Sequence, residues 1–222
     1  MDTPVQVERI AAGRSLLILF HVLAGRAVNR SLAWVAGHRL GKEAGSVAAN
    51  FDDHGFLLAL NARSAPGPER LRELFDPERW CDDLLRALRS TEQLGRKFRP
   101  VAETGQLLAR RTVQGPPGRR QASWSGSLLY ETFLKHQPDH PLVRETVRAT
   151  LEEELDAARA AEEAARIHAA PWEFFDLPRP SPLALPLFAA FNREVLIQQD
   201  PEKAVDEWVT NLYEAWSAGA GE

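Results

Sequence analysis

The stretch GPPGRRQASWSGSLLYETF, Gly115–Phe133, sets two prolines, two glycines and the pair Arg119 and Arg120 ahead of Trp124, just before an apolar helical pattern. An indole beside guanidinium groups has the chemistry of a base-stacking platform next to phosphate ligands. Stacking contributes about 1–3 kcal/mol per base, and the phosphate contacts are salt-sensitive. A residue just ahead of a helix has a second use, as the apolar staple of its first turn. The residues alone leave both readings open. The surroundings are cationic: Arg86–Arg120 holds nine basic residues (Arg86, Arg89, Arg96, Lys97, Arg99, Arg110, Arg111, Arg119, Arg120) against two acids, a balance of +7. From Thr150 onward five basic residues face fifteen acids, a balance of −10. A phosphate backbone would be met in the middle of the chain, unless the two segments neutralise each other in the fold.

Other chemistries lack their parts. GHRLGKEAG from Gly37 is one residue short of a phosphate-cradling loop, carries Glu43 where the magnesium-holding hydroxyl belongs, and reads as a helix stop. DDHG at Asp52 reads as a hairpin turn. His136 and His140 have the spacing of metal ligands on a helix, but Pro138 and Pro141 break that helix and make them loop histidines. His21 reads as a satisfied core histidine and Cys81, beside Trp80, as a core residue rather than a nucleophile. The glutamates of TLEEELD read as a solvated face. The expectation is no catalytic residue, no metal and no cofactor.

The elements that must position these residues follow from periodicity. VQVERI and SLLILFHVL read as two strands joined by AAGR, the second apolar on both faces. RAVNRSLAWVAGHRL reads as a helix with Val28, Leu32, Val35 and Leu40 inward and Arg26, Arg30 and Arg39 on the opposite face. SVAANF and FLLAL form a hairpin in which Gly55 supplies a permissive backbone. Helices then take over: one with Asp76 as cap and Pro77 in its first turn, burying Trp80, Cys81, Leu84, Leu85 and Leu88; one over 91–109 that Pro100 kinks or breaks; then 127–135, 141–156 and an alanine-rich stretch. RRTVQGPPGRR is a loop by composition. WEFFDL reads as a late strand and PRPSPLALP, with four prolines, as extended or turning backbone. DPEKAVDEWVTNLYEAW reads as an amphipathic helix carrying Trp208 and Trp216. The 222 residues, 44% apolar, suffice for a real core; no apolar run approaches the roughly 20 residues of a membrane span, no secretory signal is visible, and one cysteine suits a reducing cytoplasm.

VERI, FHVLAGRAVNRSLAWVAGHRL, NFDDHGFLLAL, LGRKFRPVA, SLLYETFLKHQPDHPLVRETVRATLEEEL and DLPRPSPLALPL, in that order from Val5 to Leu187, resemble the domain that follows the winged helix in Lhr-type (large helicase-related) superfamily 2 helicases. The Leu-Leu-Tyr helix and the RPSPLALP ending look closer to the helicases encoded beside a DNA ligase and a nuclease. The resemblance implies an α+β module, a small, mostly antiparallel, barrel-like sheet packed with a helical bundle, helping to close the channel of the tracking strand. It implies no RecA-like motor in this chain. Relatives often carry a small residue where Trp124 falls, so the resemblance does not vouch for that tryptophan. The resemblance is not traced into the tail beyond about Arg193.

The expected organisation is one domain over 1–195, with the sheet module at 5–61 plus a strand at 172–177 and the bundle at 66–168, and a C-terminal helix extension over 196–222. The expected function is a non-catalytic accessory module of a DNA repair helicase, either an excised domain or a stand-alone relative working with a motor on another chain. Single-stranded DNA would be held by Trp124, Arg119, Arg120, Arg96, Lys97, Arg99, Arg26 and Arg30, with helicase motor domains, and a DNA ligase or nuclease, as further partners. The alternative is a protein-binding scaffold using the acidic C-terminal half and the Trp208/Trp216 helix.

Overall fold

The computed structural model describes residues 3–89, 93–105, 107 and 119–195; side chains are described for these except at 119–125 and 192–195. Strands β1 (Val5–Ala12) and β2 (Ser15–His21) are followed by helix α1 (Arg26–Ala44) and the hairpin β3 (Ala48–Phe51) and β4 (Gly55–Asn61). Helices α2 (Pro68–Glu73), α3 (Trp80–Arg89), α4 (Gln93–Thr104), α5 (Arg119–His136), α6 (Pro141–Ala149) and α7 (Ala157–Ala169) form the bundle, and β5 (Trp172–Asp176) and α8 (Leu185–Val195) follow. The sheet order is β3-β4-β2-β1-β5, antiparallel throughout except that β5 lies parallel to β1.

The unbroken apolar run of β2 has a direct cause: the sheet is buried on both faces. Ile18 and Phe20, with Val5, Val7, Phe56 and Leu58, meet the main core under α1 and the bundle. Leu17 and Leu19, with Ile10 and Leu57, meet Ala184 and Leu187 at α8. At the centre Phe20 and Phe56 stack with ring centroids 4.6 Å apart, and Phe75 and Trp172 close on Phe20 edge-on.

Several elements depart from the sequence reading. α1 runs through GHRLGKEA to Ala44 and stops at Gly45, so the stretch read as a helix stop from Gly37 is mostly helix interior. Gly55 is required for close approach rather than for a positive φ: a Cβ there would fall on the Phe20 carbonyl oxygen of the neighbouring strand. Pro77 lies before α3, not in its first turn; Asp76 Oδ1 accepts from the Glu78 backbone N–H at 2.8 Å, a local turn that precedes the helix. Cys81 is exposed rather than core, and Leu85 is half-buried, because the inward stripe of α3 is Trp80, Asp83, Leu84, Ala87 and Leu88. Pro100 sits inside α4. The helix read over 141–156 is α6 followed by a π-helical turn at Thr150–Glu154, where the Leu155 N–H reaches back to the Thr150 carbonyl. α8 replaces the end of the proline-rich segment read as extended backbone; Pro186 fits because it falls in the first turn.

Candidate nucleic-acid interface

Gly25, at φ 88°, turns the chain from β2 into α1. The entry is braced from two sides: fully buried Asn29 donates from Nδ2 to the Val22 and Asp52 carbonyls, both at 2.9 Å, and the Val22 N–H donates to the His54 carbonyl. The DDHG turn is itself locked, as the sequence reading has it, with Asp52 Oδ1 accepting from the His54 and Gly55 N–H groups. Asp53 accepts from the Arg26 N–H at 3.1 Å. One side-chain amide therefore ties the β2–α1 loop to the β3–β4 hairpin, and the first turns of α1 stand on a fixed base.

On that base is a cationic and aromatic ledge. The Arg26 and Arg30 guanidiniums lie over the Phe51 ring, 5.6 and 5.2 Å from its centroid, and Arg30 is 5.9 Å from the centroid of Trp34. Phe51 and Trp34 are both half-buried and meet edge-on, with centroids 6.4 Å apart. Arg30 makes a long ion pair to Glu154, 3.9 Å, and its buried Nε has no partner among the described residues. Held this way, the guanidiniums keep their planes on the rings and their N–H edges available to an anion.

Lys97 joins from α4. Its ammonium sits 3.1 Å from Glu153 and 3.0 Å from Glu154; Glu154 holds it above the ordinary lysine range, burial opposes this, and Glu153 adds to the rise. The structure thus engages this predicted phosphate ligand with acids of the C-terminal half, the neutralisation left open by the charge pattern. The π turn makes the junction: it supplies both carboxylates, and the Leu155 carbonyl beyond it accepts from buried Ser31 Oγ on α1 at 2.8 Å.

Arg96 is exposed on α4 and Arg99 pairs with Glu103 at 2.8 Å. α4 crosses α5 at two glycines: a Cβ on Gly95 would stand 3.0 Å from Ser127 Cα, and one on Gly126 would stand 3.0 Å from Arg99 Cβ. The α4 arginine run therefore lies alongside α5. Arg119, Arg120 and Trp124 belong to α5 by backbone, with side chains outside the described residues. This corrects two readings: Arg119 and Arg120 are helical rather than loop, and Trp124 lies well inside a helix, so it does not staple a first turn. Nothing in Arg119–Ser125 breaks a helix, and Gly126 is a packing glycine rather than a boundary. Trp208 and Trp216 lie outside the described residues, as does the 196–222 extension.

Arg39 belongs to none of this, against the expectation that it shares the solvent face of α1. It is 8% exposed. Its guanidinium donates to Asp83 Oδ2 at 2.9 Å and to the carbonyls of Leu74, Asp76 and Glu78, and it lies over the Trp80 ring. Burial alone would raise Asp83, but Arg39 outweighs it and holds the carboxyl below its usual range. His21 is the satisfied core histidine expected, 2.8 Å from Glu8, and His140 caps α6 through Nδ1 as a loop histidine. Among the described residues no group of three or more His, Cys, Asp or Glu is placed to hold a metal, and no helix is long and apolar enough to cross a membrane. Sequence reasoning missed Phe51 and Trp34 as the support of the ledge, because their pairing joins an edge strand to a helix. It missed Asn29 in the same way.

Comparison with known proteins bears on this geometry. The DEAD/H associated family model matches residues 2–184. The chain is 28% identical over 207 residues to the ATP-dependent helicase Lhr-Core of Methanocaldococcus jannaschii, covering 93% of this chain and 24% of that protein. It is 31% identical over 160 residues to the ATP-dependent helicase Lhr-Core protein 2 of Thermococcus barophilus, covering 72% of this chain and 18% of the relative. The chain thus spans about a quarter or less of the length of these relatives. Its fold is similar to part of the Mycobacterium smegmatis helicase Lhr, in a structure bound to ssDNA and AMP-PNP, with TM-score 0.69 and 23% identity over 84% of this chain and 24% of that one.

Proposed function

The chain belongs to the DEAD/H associated family and is an Lhr-type helicase-associated region, and from that premise we propose that it is the non-catalytic part of such a helicase that grips the tracking single strand. The observation that carries the reading is the ledge at the start of α1: Arg26 and Arg30 laid over Phe51 and Trp34 on a base braced by Asn29. Phosphates approach the free edges of the two guanidiniums. Arg96 and Arg99 on α4, and Arg119 and Arg120 on α5, extend the cationic track, with Trp124 as the base platform. Lys97 closes the π turn against α4 rather than meeting a phosphate first. ATP turnover comes from a motor in the same or another polypeptide, and a DNA ligase or nuclease acts on the same substrate.

Fluorescence anisotropy with labelled single-stranded DNA tests this. Two phosphate contacts removed should reduce the slope of log K against log salt by about 1.4, taking about 0.7 per contact for single strands. Arg26→Glu/Arg30→Glu is therefore expected to bind more weakly and with a flatter salt dependence than the parent chain. Unchanged affinity and slope in a folded variant would remove the ledge from the reading.

A further inference from the structure

A second groove opens on the far side of the π turn, between the end of α3, the middle of α5 and α6, with a volume of about 540 Å³. Tyr130 forms its floor, with Leu134, Val143 and Val147 as its apolar walls. Tyr130 is 6% exposed, yet its hydroxyl has no hydrogen-bond partner among the described residues. A buried hydroxyl left unmatched costs about 1–3 kcal/mol, so a phenylalanine would be the more stable choice for a purely structural floor. The Tyr130 ring packs against Phe98, with centroids 5.5 Å apart. Burial raises the phenol, with Arg89 opposing, so it stays protonated at neutral pH and is available as a donor.

The rim is cationic on the same side. Arg89 and Arg144 line the groove, and neither guanidinium has an ion-pair partner among the described residues. Arg148 and Glu152, also at the rim, are already paired to each other, and Arg148 to Glu145. Asp139 at the loop end offers an acceptor to a sugar hydroxyl or an exocyclic amine. An aromatic and aliphatic floor, one unmatched hydroxyl within it and two unengaged arginines above it suit a ligand with a flat body, a ring heteroatom and an anionic group. We infer that this groove is a binding pocket for a single nucleotide, its base on Tyr130 and its phosphate between Arg89 and Arg144.

The choice of ligand rests on the reading of the chain as a strand-gripping module, but the pocket does not share the α1 ledge, and the two fail separately. The π turn lies between them: Glu152 lines the groove, while Glu153 and Glu154 hold Lys97 and Arg30.

The test is calorimetric titration of the full chain with each of the four deoxynucleoside 5′-monophosphates, with the matching nucleosides, and with inorganic phosphate, alongside thermal melting of Tyr130→Phe, Arg89→Ala/Arg144→Ala and Arg26→Glu/Arg30→Glu. The expected result is saturable binding of at least one monophosphate, stronger than that of its nucleoside or of phosphate alone. Tyr130→Phe should weaken it by about fivefold while melting no lower than the parent, and the double arginine variant by about tenfold, as loss of one hydrogen bond and of charge-assisted contacts predicts. Arg26→Glu/Arg30→Glu should bind the monophosphate as the parent does. Absence of saturable binding by any monophosphate, or a lower melting temperature of Tyr130→Phe with unchanged binding, would overturn the pocket, whether or not the chain binds longer single strands.

Discussion

Towards the C-terminal end of α1, Arg39 is buried against Asp83 and three carbonyl oxygens. Nearer the start of the same helix, Arg26 and Arg30 lie on aromatic rings, and among the described residues their charge meets only a long contact to Glu154. Spacing alone puts all three on the face opposite the apolar stripe. What separates them is the packing around each end: the α2–α3 connection folds over Arg39 and presents its carbonyls, while Arg26 and Arg30 lie on the rings of Phe51 and Trp34, with the π turn reaching Arg30 through Glu154 at 3.9 Å. Arg39 is an internal staple and the other two are surface-held cations. Counting basic residues along a segment therefore says little about where a phosphate can be bound.

The largest effect expected from this contrast is at Arg39. Arg39→Ala leaves Asp83 with only the longer contacts to Lys42 and Arg86 and takes the donor from three carbonyls, and breaking such a buried pair costs about 3–5 kcal/mol. Urea denaturation should show a loss of that order, whereas Arg26→Ala should cost no more than about 1 kcal/mol, the worth of an exposed cation–π contact. Equal losses at the two positions would break the comparison.

The next effect concerns another internal pair, on the opposite face of the sheet. Burial alone would raise Glu8, but its hydrogen bonds with His21 and Ser181 outweigh that and lower its pKa. The Ser181 N–H donates to Glu8 Oε2 at 3.1 Å, which anchors the Pro-Ser-Pro segment to β1. A carboxyl depressed in the folded state adds stability above its unfolded pKa and loses that stability as pH falls through the folded value. Glu8→Gln should therefore be less stable than the parent at pH 7, by about 1.5–3 kcal/mol for hydrogen bonds to a charged group, and the gap should narrow on acidification below the ordinary glutamate range. A gap independent of pH would show that the charge of Glu8 is not what holds the segment.

Smaller again is the α4–α5 crossing. Gly126→Ala places a methyl 3.0 Å from Arg99 Cβ, and overpacking of this kind costs about 1–3 kcal/mol when the helices cannot separate. The loss should appear in thermal melting, together with altered strand binding if the α4 track depends on its alignment with α5.

Much of the sheet and the alanine-rich helix was legible because their signals are local: alternation in β1, the two-sided run of β2, the turn chemistry of Asp52 and helical phasing in α7. The π turn and α8 were not, because each depends on tertiary partners, and the early start of α5 was not, because Gly126 reads as a boundary until its packing against Arg99 is seen. The turn is fixed by Ser31 on α1 and Lys97 on α4, and α8 by the second face of the sheet. Of the site, the arginines at 26 and 30 were visible from type and position. Phe51 and Trp34 beneath them were not, since no spacing in sequence joins a strand residue to a helix one. Cys81 was misplaced for the converse reason: a stripe drawn through neighbouring apolar letters ignored that position 81 turns away from the core filled by Trp80 and Leu84.

The central claim is that the start of α1, not its buried end, meets the strand. The most direct measurement is the salt dependence of anisotropy for labelled single-stranded DNA bound to the parent chain, to Arg26→Glu/Arg30→Glu and, as a control for global charge, to a variant carrying Arg159→Glu, which is exposed on α7. The account predicts salt-sensitive binding by the parent and by the control, and weakened binding with a flatter salt slope for the double variant. Equal weakening by the control and the ledge variant, or binding by the ledge variant indistinguishable from the parent, would contradict it.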